Sequence, residues 1–169
     1  AALMNAVVAA YIYRLMPEFL LRFLSWLLVH SIYRIRTRGT RHIPERGAAL
    51  MVCNHVSFVD ALLLMAVSPR PIRFVMDVTI FRRPLLSWLF RQARAIPIAS
   101  ARVDAAVMQR AFEQVSQALR DGELVCIFPE GRITDTGELY PFRPGLTRVL
   151  ARDPVPVVPV ALQGLWGSV

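Results

Sequence analysis

An imidazole and a carboxylate stand five positions apart in Asn54-His55-Val56-Ser57-Phe58-Val59-Asp60, where an apolar run gives way to a helical pattern. A carboxylate within reach of one ring nitrogen fixes the tautomer and raises the basicity of the other, as a general base for a hydroxyl requires. No Ser or Cys lies beside the pair as an obvious nucleophile. The hydroxyl to be activated is therefore expected to be the substrate's own. The same residues also fit a structural role, because Asp in a first helical turn complements the helix dipole and a His beside a cap satisfies a turn.

The elements that must position this pair are readable around it. Ala48-Ala49-Leu50-Met51-Val52-Cys53, bounded by Gly47, reads as a buried strand. Ser57 with Asp60 has the form of a capping box, and the apolar run Ala61 to Met65 follows as its helix. His55 then falls in the turn and Asp60 in the first helical turn. A second strand, Glu123 to Phe128, ends in Pro129-Glu130-Gly131-Arg132. Here a carboxylate and a guanidinium flank a glycine just past a strand end, where open α/β sheets place their ligands. An exposed turn carrying a weak surface ion pair is the bland alternative for Glu130 and Arg132.

Together the two motifs resemble the glycerolipid acyltransferase family, of the 1-acylglycerol-3-phosphate acyltransferase type. Asn54, His55 and Asp60 match its Asn-His-x-x-x-x-Asp block, and Phe128-Pro129-Glu130-Gly131 matches its third. Val155 to Val160 is similar to its fourth block, and Phe142-Arg143-Pro144-Gly145 to the basic segment between them. The resemblance spans roughly residues 32 to 166. The second block departs from the family's Gly-x-Phe-Pro-Val-Asp-Arg: here it reads Ala95-Ile96-Pro97-Ile98-Ala99-Ser100, with serine where the arginine is expected. Arg94 and Arg102 lie on either side. That departure resembles the variants fused to transporter or acyl-carrier-protein synthetase modules, whose acceptor is a lysophospholipid with a head group.

The resemblance implies catalysis by His55 with Asp60, and acceptor binding by Asn54, Ser57, Arg102, Glu130, Gly131, Arg132 and Arg143. It implies transfer of a fatty acyl group from acyl-coenzyme A or acyl-carrier protein to the free hydroxyl of a lysophospholipid, such as 1-acylglycerol-3-phosphate. No cofactor beyond the thioester co-substrate is expected, and no metal. A non-catalytic lipid-binding or regulatory domain of a fused transporter is the rival reading, but it has no need of His55 with Asp60.

Composition narrows the partners. A length of 169 residues suits one domain with a sizeable core, and an apolar share of 55% points to membrane contact. All 20 basic residues are Arg, so a lysine Schiff base is excluded. The net charge of +8 admits anionic lipid or nucleic acid. Arg34, Arg36, Arg38 and Arg41 directly follow a hydrophobic segment, which is the arrangement expected beside an anionic cytoplasmic leaflet rather than on a nucleic-acid-reading helix. Cys53 and Cys126 sit in apolar strand patterns and read as core thiols.

Residues 1–33 read as a segment of their own and 34–169 as the catalytic domain. Leu3 to Met16 and Glu18 to Tyr33 are apolar runs broken by Pro17, each short of the roughly 20 residues that span a bilayer. A helical hairpin lying in one leaflet is expected, with Arg14 and Arg22 snorkelling, on the cytoplasmic face of a bacterial inner membrane. A pair of soluble core helices is the alternative. Without an initiating Met, and with its end close behind the last motif, the chain reads as a piece of a longer one.

Beyond the hairpin, strands are expected at Ile32 to Thr37, Pro71 to Met76 and Val155 to Leu162. Helices are expected at Pro84 to Arg91, Val103 to Arg120 and Pro144 to Arg152, with Asp121-Gly122 ending the long one. The alternation implies an α/β fold: a mixed sheet with helices on both faces.

Overall fold

The computed structural model describes residues 2–15 and 17–167. Helices α1 (Ala2–Leu15) and α2 (Pro17–Ile32) precede the first strand, β1 (Ala49–Cys53). The chain then runs through α3 (Asp60–Val67), β2 (Ile72–Asp77), α4 (Val78–Phe81), α5 (Pro84–Gln92), β3 (Ile96–Ile98) and α6 (Ala101–Arg120). It closes with β4 (Leu124–Ile127), α7 (Gly145–Arg152) and β5 (Val157–Val160).

The five strands form one sheet in the order β3-β2-β4-β1-β5, and every pair is parallel. The expected mixed sheet is corrected on this point. Each strand is followed by a helix before the next, and such crossovers return the chain in the same direction. Central strands of a sheet covered on both faces are apolar throughout. All five residues of β1 are accordingly buried.

Alternate residues of β1 and β4 face two cores. Ala49, Met51, Cys53, Leu124 and Cys126 pack with Leu64 of α3 on one face. Leu50, Val52 and Val125 pack with Ala111, Phe112, Val115 and Leu119 of α6, and with Val149 of α7, on the other. Within α6 the backbone of Asp104 is non-helical, and its Oδ1 accepts the N–H of Val107 at 2.9 Å. The continuous amphipathic helix thus begins after Asp104, and Val103, the expected start of the helix, is exposed. Gly122, at φ 76, ends the helix as expected, its N–H reaching back to Leu119 O at 3.0 Å.

The expected strand over residues 32–37 is absent. Helix α2 runs on into Ile32, the N–H of Tyr33 still reaches Val29 O at 2.8 Å, and the following residues are irregular. The alternation of Tyr33 and Ile35 with arginines reflects packing of those two residues beside α2 and α3.

Helix α2 is seated on α3. Val29 joins Val56, Leu63 and Leu165 in a small core, and the Ser25 hydroxyl meets Met65 Sδ at 3.4 Å. Arg22 does not snorkel: its Nη2 donates to Ser68 O at 2.7 Å, at the end of α3. The side chain of Arg14 lies outside the described ones. The rest of α2 leaves Phe19, Phe23, Leu24, Trp26, Leu27 and Leu28 exposed. No helix among the described residues is long and apolar enough to cross a membrane.

Candidate active site

His55 lies in the turn between β1 and α3, and Asp60 opens α3. His55 Nδ1 meets Asp60 Oδ2 at 2.8 Å, with Asp60 fully buried and the His55 side chain 22% exposed. The same Oδ2 accepts the N–H groups of Val56 at 2.7 Å and Ser57 at 3.0 Å. An ionised carboxylate only accepts, so Nδ1 carries the proton. Nε2 is left as the basic nitrogen. Asp60 occupies the first residue of its helix, where free N–H groups and the dipole favour negative charge. Among the described residues no arginine pairs with Asp60, so its charge acts on the imidazole. The ring is also held from one side, because Phe128 stacks on it with centroids 4.1 Å apart.

The main chain of His55 is fixed from β4's exit loop. Its N–H donates to Glu130 Oε1 at 2.8 Å, and its carbonyl accepts from Thr134 N at 2.9 Å. Glu130 is buried, and its Oε2 accepts the N–H of Tyr140 at 2.8 Å. Both carboxylate oxygens therefore hold backbone donors. Glu130 acts as a brace between the His55 turn and the 140 loop.

Asn54 is occupied in the same way. Its amide donates to Leu162 O at 3.0 Å and accepts from Leu162 N at 2.7 Å, clipping the end of β1 to the chain after β5. Ser57 is buried, its Oγ accepting Val59 N at 3.4 Å, so it shapes the turn.

The open side of the site carries the arginines. Gly131 sits at φ +66, a conformation that favours glycine, and a Cβ there would come within 2.7 Å of Arg143 Nε. The Arg143 side chain crosses this glycine and donates from Nε to Glu130 O at 3.1 Å, and the residue is exposed. Arg132 is exposed, with its guanidinium 4.0 Å from the centroid of the Tyr140 ring. Tyr140 in turn donates its hydroxyl to Asp135.

The structure separates the two arginines that flank the atypical second block. Arg94 lies at the entrance to β3 and pairs with Glu123 Oε1 at 2.8 Å, at the opposite end of the parallel sheet from His55. Ser100 and Arg102 follow β3 on the same end as His55, and Arg102 is exposed on the first turn of α6. β3 is three strand spacings from β1, roughly 14 Å at about 4.8 Å per strand. Only Arg102 of the two is on the side where it can meet an acceptor held at His55.

Cys53 is the thiol nearest to this machinery in sequence, and it is no nucleophile. Burial, with the nearby carboxylates of Asp60 and Glu130, pushes it up to about 12, so it stays protonated. No group of His, Cys, Asp and Glu among the described residues is arranged to hold a metal. Sequence reasoning missed the stacking of Phe128 and the parts played by Thr134 and Tyr140. The run Thr134-Asp135-Thr136-Gly137 carried a usable signal, because its hydroxyls are typical of tight turns: Thr134 Oγ1 accepts the N–H of Gly137 at 3.1 Å.

A family model described as acyltransferase matches residues 34–163, most of the chain and both of these motifs. The chain belongs to the acyltransferase family. Among curated relatives, the chloroplastic 1-acyl-sn-glycerol-3-phosphate acyltransferase LPAT1 of Arabidopsis thaliana is 27% identical over 87% of this chain and 41% of its own length. The mouse 1-acyl-sn-glycerol-3-phosphate acyltransferase alpha is 30% identical over 84% and 51%, respectively. This acyltransferase chain thus spans about half the length of the curated relatives it matches. Its fold is similar to the crystal structure of the 1-acyl-sn-glycerophosphate acyltransferase PlsC of Thermotoga maritima, with a TM-score of 0.64. That likeness covers 90% of this chain and 77% of the other at 18% identity.

Proposed function

We propose that this chain transfers a fatty acyl group from an acyl thioester to the free hydroxyl of a lysophospholipid. The buried Asp60 bound to His55 Nδ1 is the observation that carries this reading. It orients the imidazole so that Nε2 takes the proton of the acceptor hydroxyl as the oxygen attacks the thioester carbon. Asp60 stabilises the imidazolium that forms. When the tetrahedral intermediate collapses, the carbon–sulfur bond breaks and His55 returns the proton to the departing thiolate. Acyl-coenzyme A and acyl-carrier protein both supply such a thioester.

The acceptor is anionic, and Arg143 and Arg132 hold its phosphate, since guanidinium matches phosphate oxygens in a bidentate way. The names of the relatives support a 1-acylglycerol-3-phosphate type of acceptor. Serine at position 100, in place of an arginine, favours acceptors beyond that one, including lysophospholipids with a head group.

Residues 1–33 hold the chain on the membrane surface. The exposed apolar side chains of α2 enter the interface, and the arginines after it meet anionic lipid from the cytoplasmic face.

A thiol-release assay with several lysolipids and both donors tests the proposal. Acylation of more than one lysolipid is expected. No release with any acceptor would favour a lipid-binding domain without catalysis.

A further inference from the structure

The exits of three neighbouring strands put large apolar side chains into water beside His55. These strands are β4, β1 and β5, and all three run the same way, so their exits share one end of the sheet. Phe58, in the turn after β1, is 71% exposed. Leu139 and Phe142, in the loop after β4, are 62% and 50% exposed, and Trp166, after β5, is 58% exposed. Beyond α2, Trp88, Val103 and Val157 are the other exposed large apolar side chains among the described residues, and each stands on a separate element. Scattered apolar side chains are ordinary on a surface, whereas a group of them around one opening marks a contact.

The segments that carry this group are held to one another. Tyr140 N donates to Glu130 Oε2 and Arg143 N to Pro129 O, both at 2.8 Å, which keeps Leu139 and Phe142 at the exit of β4. The Trp166 ring lies over Gly137, where a Cβ would come within 3.0 Å of it, so the chain after β5 meets the loop after β4. Val56 and Leu165, close neighbours of Phe58 and Trp166 in the chain, share a small core with Val29 of α2. The exposed Leu28 and Ile32 flank Val29, so the apolar outer side of α2 runs up to the same end.

We propose that this rim is a lipid-docking surface: the mouth of the His55 site seats on the leaflet, and the lysophospholipid enters it without leaving the membrane. The rim continues the exposed side of α2, and tryptophan favours the boundary between hydrocarbon and water. Arg132 and Arg143 are exposed in the same loop as Leu139 and Phe142, where head-group phosphates meet them. A second copy of the chain seated here would instead cover both arginines and close the approach to His55. The exits of β2 and β3, further along the sheet, are left for the thioester, which arrives from water. The inference rests on the acyl-transfer reading for the identity of the acceptor, and goes beyond attachment by residues 1–33.

Fluorescence quenching by lipid tails tests it on the whole chain. Trp26→Phe with Trp88→Phe leaves Trp166 as the reporter of the rim, and Trp88→Phe with Trp166→Phe leaves Trp26 as the reporter of α2. The probe is vesicles of phosphatidylglycerol and phosphatidylcholine in equal parts with dibrominated tails, compared with the same vesicles without bromine. Quenching of Trp166 as well as of Trp26 is expected. Quenching of Trp26 alone, or of neither, would overturn the proposal. Phe58→Ser with Leu139→Ser should slow thiol release on a vesicle-embedded lysolipid roughly tenfold or more, with release on a short-chain soluble lysolipid close to the parent rate. Equal loss on both acceptors would assign these side chains to the acceptor pocket, and a concentration-dependent dimer abolished by the double variant would assign them to a second copy. Either result would overturn the rim. Quenching is read without turnover, so a chain that docks but releases no thiol keeps the lipid-docking surface and loses the acyl-transfer reading.

Discussion

The carboxylate of Glu130 holds His55 by its main chain, Oε1 accepting the His55 N–H at 2.8 Å while Oε2 accepts that of Tyr140. The exit of β4 thereby sets the height and tilt of the imidazole that follows β1. Glu130→Gln replaces one acceptor by a donor, so one of two facing N–H groups must go unpaired, at about 1–3 kcal/mol. Displacing a catalytic group by an ångström costs about a hundredfold in rate. Turnover in Glu130→Gln should therefore fall tenfold or more, with the acceptor KM moving less. Steady-state kinetics check this, and an elevated acceptor KM at normal turnover would return Glu130 to acceptor binding.

Gly131→Ala should act through Arg143. The φ of +66 costs a residue with a Cβ about 1–2 kcal/mol, and the added methyl displaces the Arg143 side chain that crosses this position. Arg143→Ala removes the guanidinium itself. Both variants should raise the acceptor KM more than the thioester KM, and Gly131→Ala should also lower Tm. Equal effects on the two KM values would remove Arg143 from the acceptor site.

Two buried thiols give the fold an alkaline limit. Cys53 is pushed from its usual 9.0 up to about 12, and burial, then the neighbouring Cys53, raises Cys126 as well. In the unfolded chain both thiols lose their protons near pH 9, while in the folded chain they keep them. The stability linked to them is thus complete below pH 9 and is lost as pH rises through 9 towards 12, at about 1.4 kcal/mol per pH unit for each thiol. Denaturant midpoints between pH 7 and 10.5 should fall, and Cys53→Ala should flatten the decline. A flat profile in the parent chain would contradict the burial argument.

The exposed side of α2 should govern membrane attachment separately from folding. Phe23 and Leu27 are half exposed and lie away from the face that meets α3. Burial of each such side chain contributes about 1.5–3 kcal/mol. Phe23→Ser with Leu27→Ser should weaken sedimentation with anionic vesicles at least tenfold while leaving Tm nearly unchanged. Truncation before Ile32 is a poorer test, because it also strips Ser25 and Val29 from α3. Unaltered vesicle binding in the double variant would place the membrane contact elsewhere.

The sheet and the dyad were legible because their signals are local. The apolar runs of β1 and β4, the periodicity of α6 and the five-residue spacing of His55 and Asp60 need no knowledge of the rest of the chain. Strand direction is not a local property, and the parallel sheet followed only from the helices between strands. Residues 32–37 alternate like a strand, but an irregular segment packed beside two helices gives the same pattern. The role of Glu130 was hidden for a similar reason. A carboxylate beside Gly131 and Arg132 gives no local sign that the fold brings two distant N–H groups, those of His55 and Tyr140, onto its oxygens. Arg22 likewise reads as a snorkelling cation until α3 supplies the carbonyl of Ser68.

The central claim is that His55 Nε2 takes the acceptor proton while Asp60 holds Nδ1. Thiol release by purified His55→Ala, measured alongside a parent-like circular dichroism spectrum and Tm, addresses it most directly. General-base catalysis contributes about 10²–10⁴ in rate, so turnover should fall by that factor with the fold intact. Near-normal turnover in a folded His55→Ala chain would contradict the account.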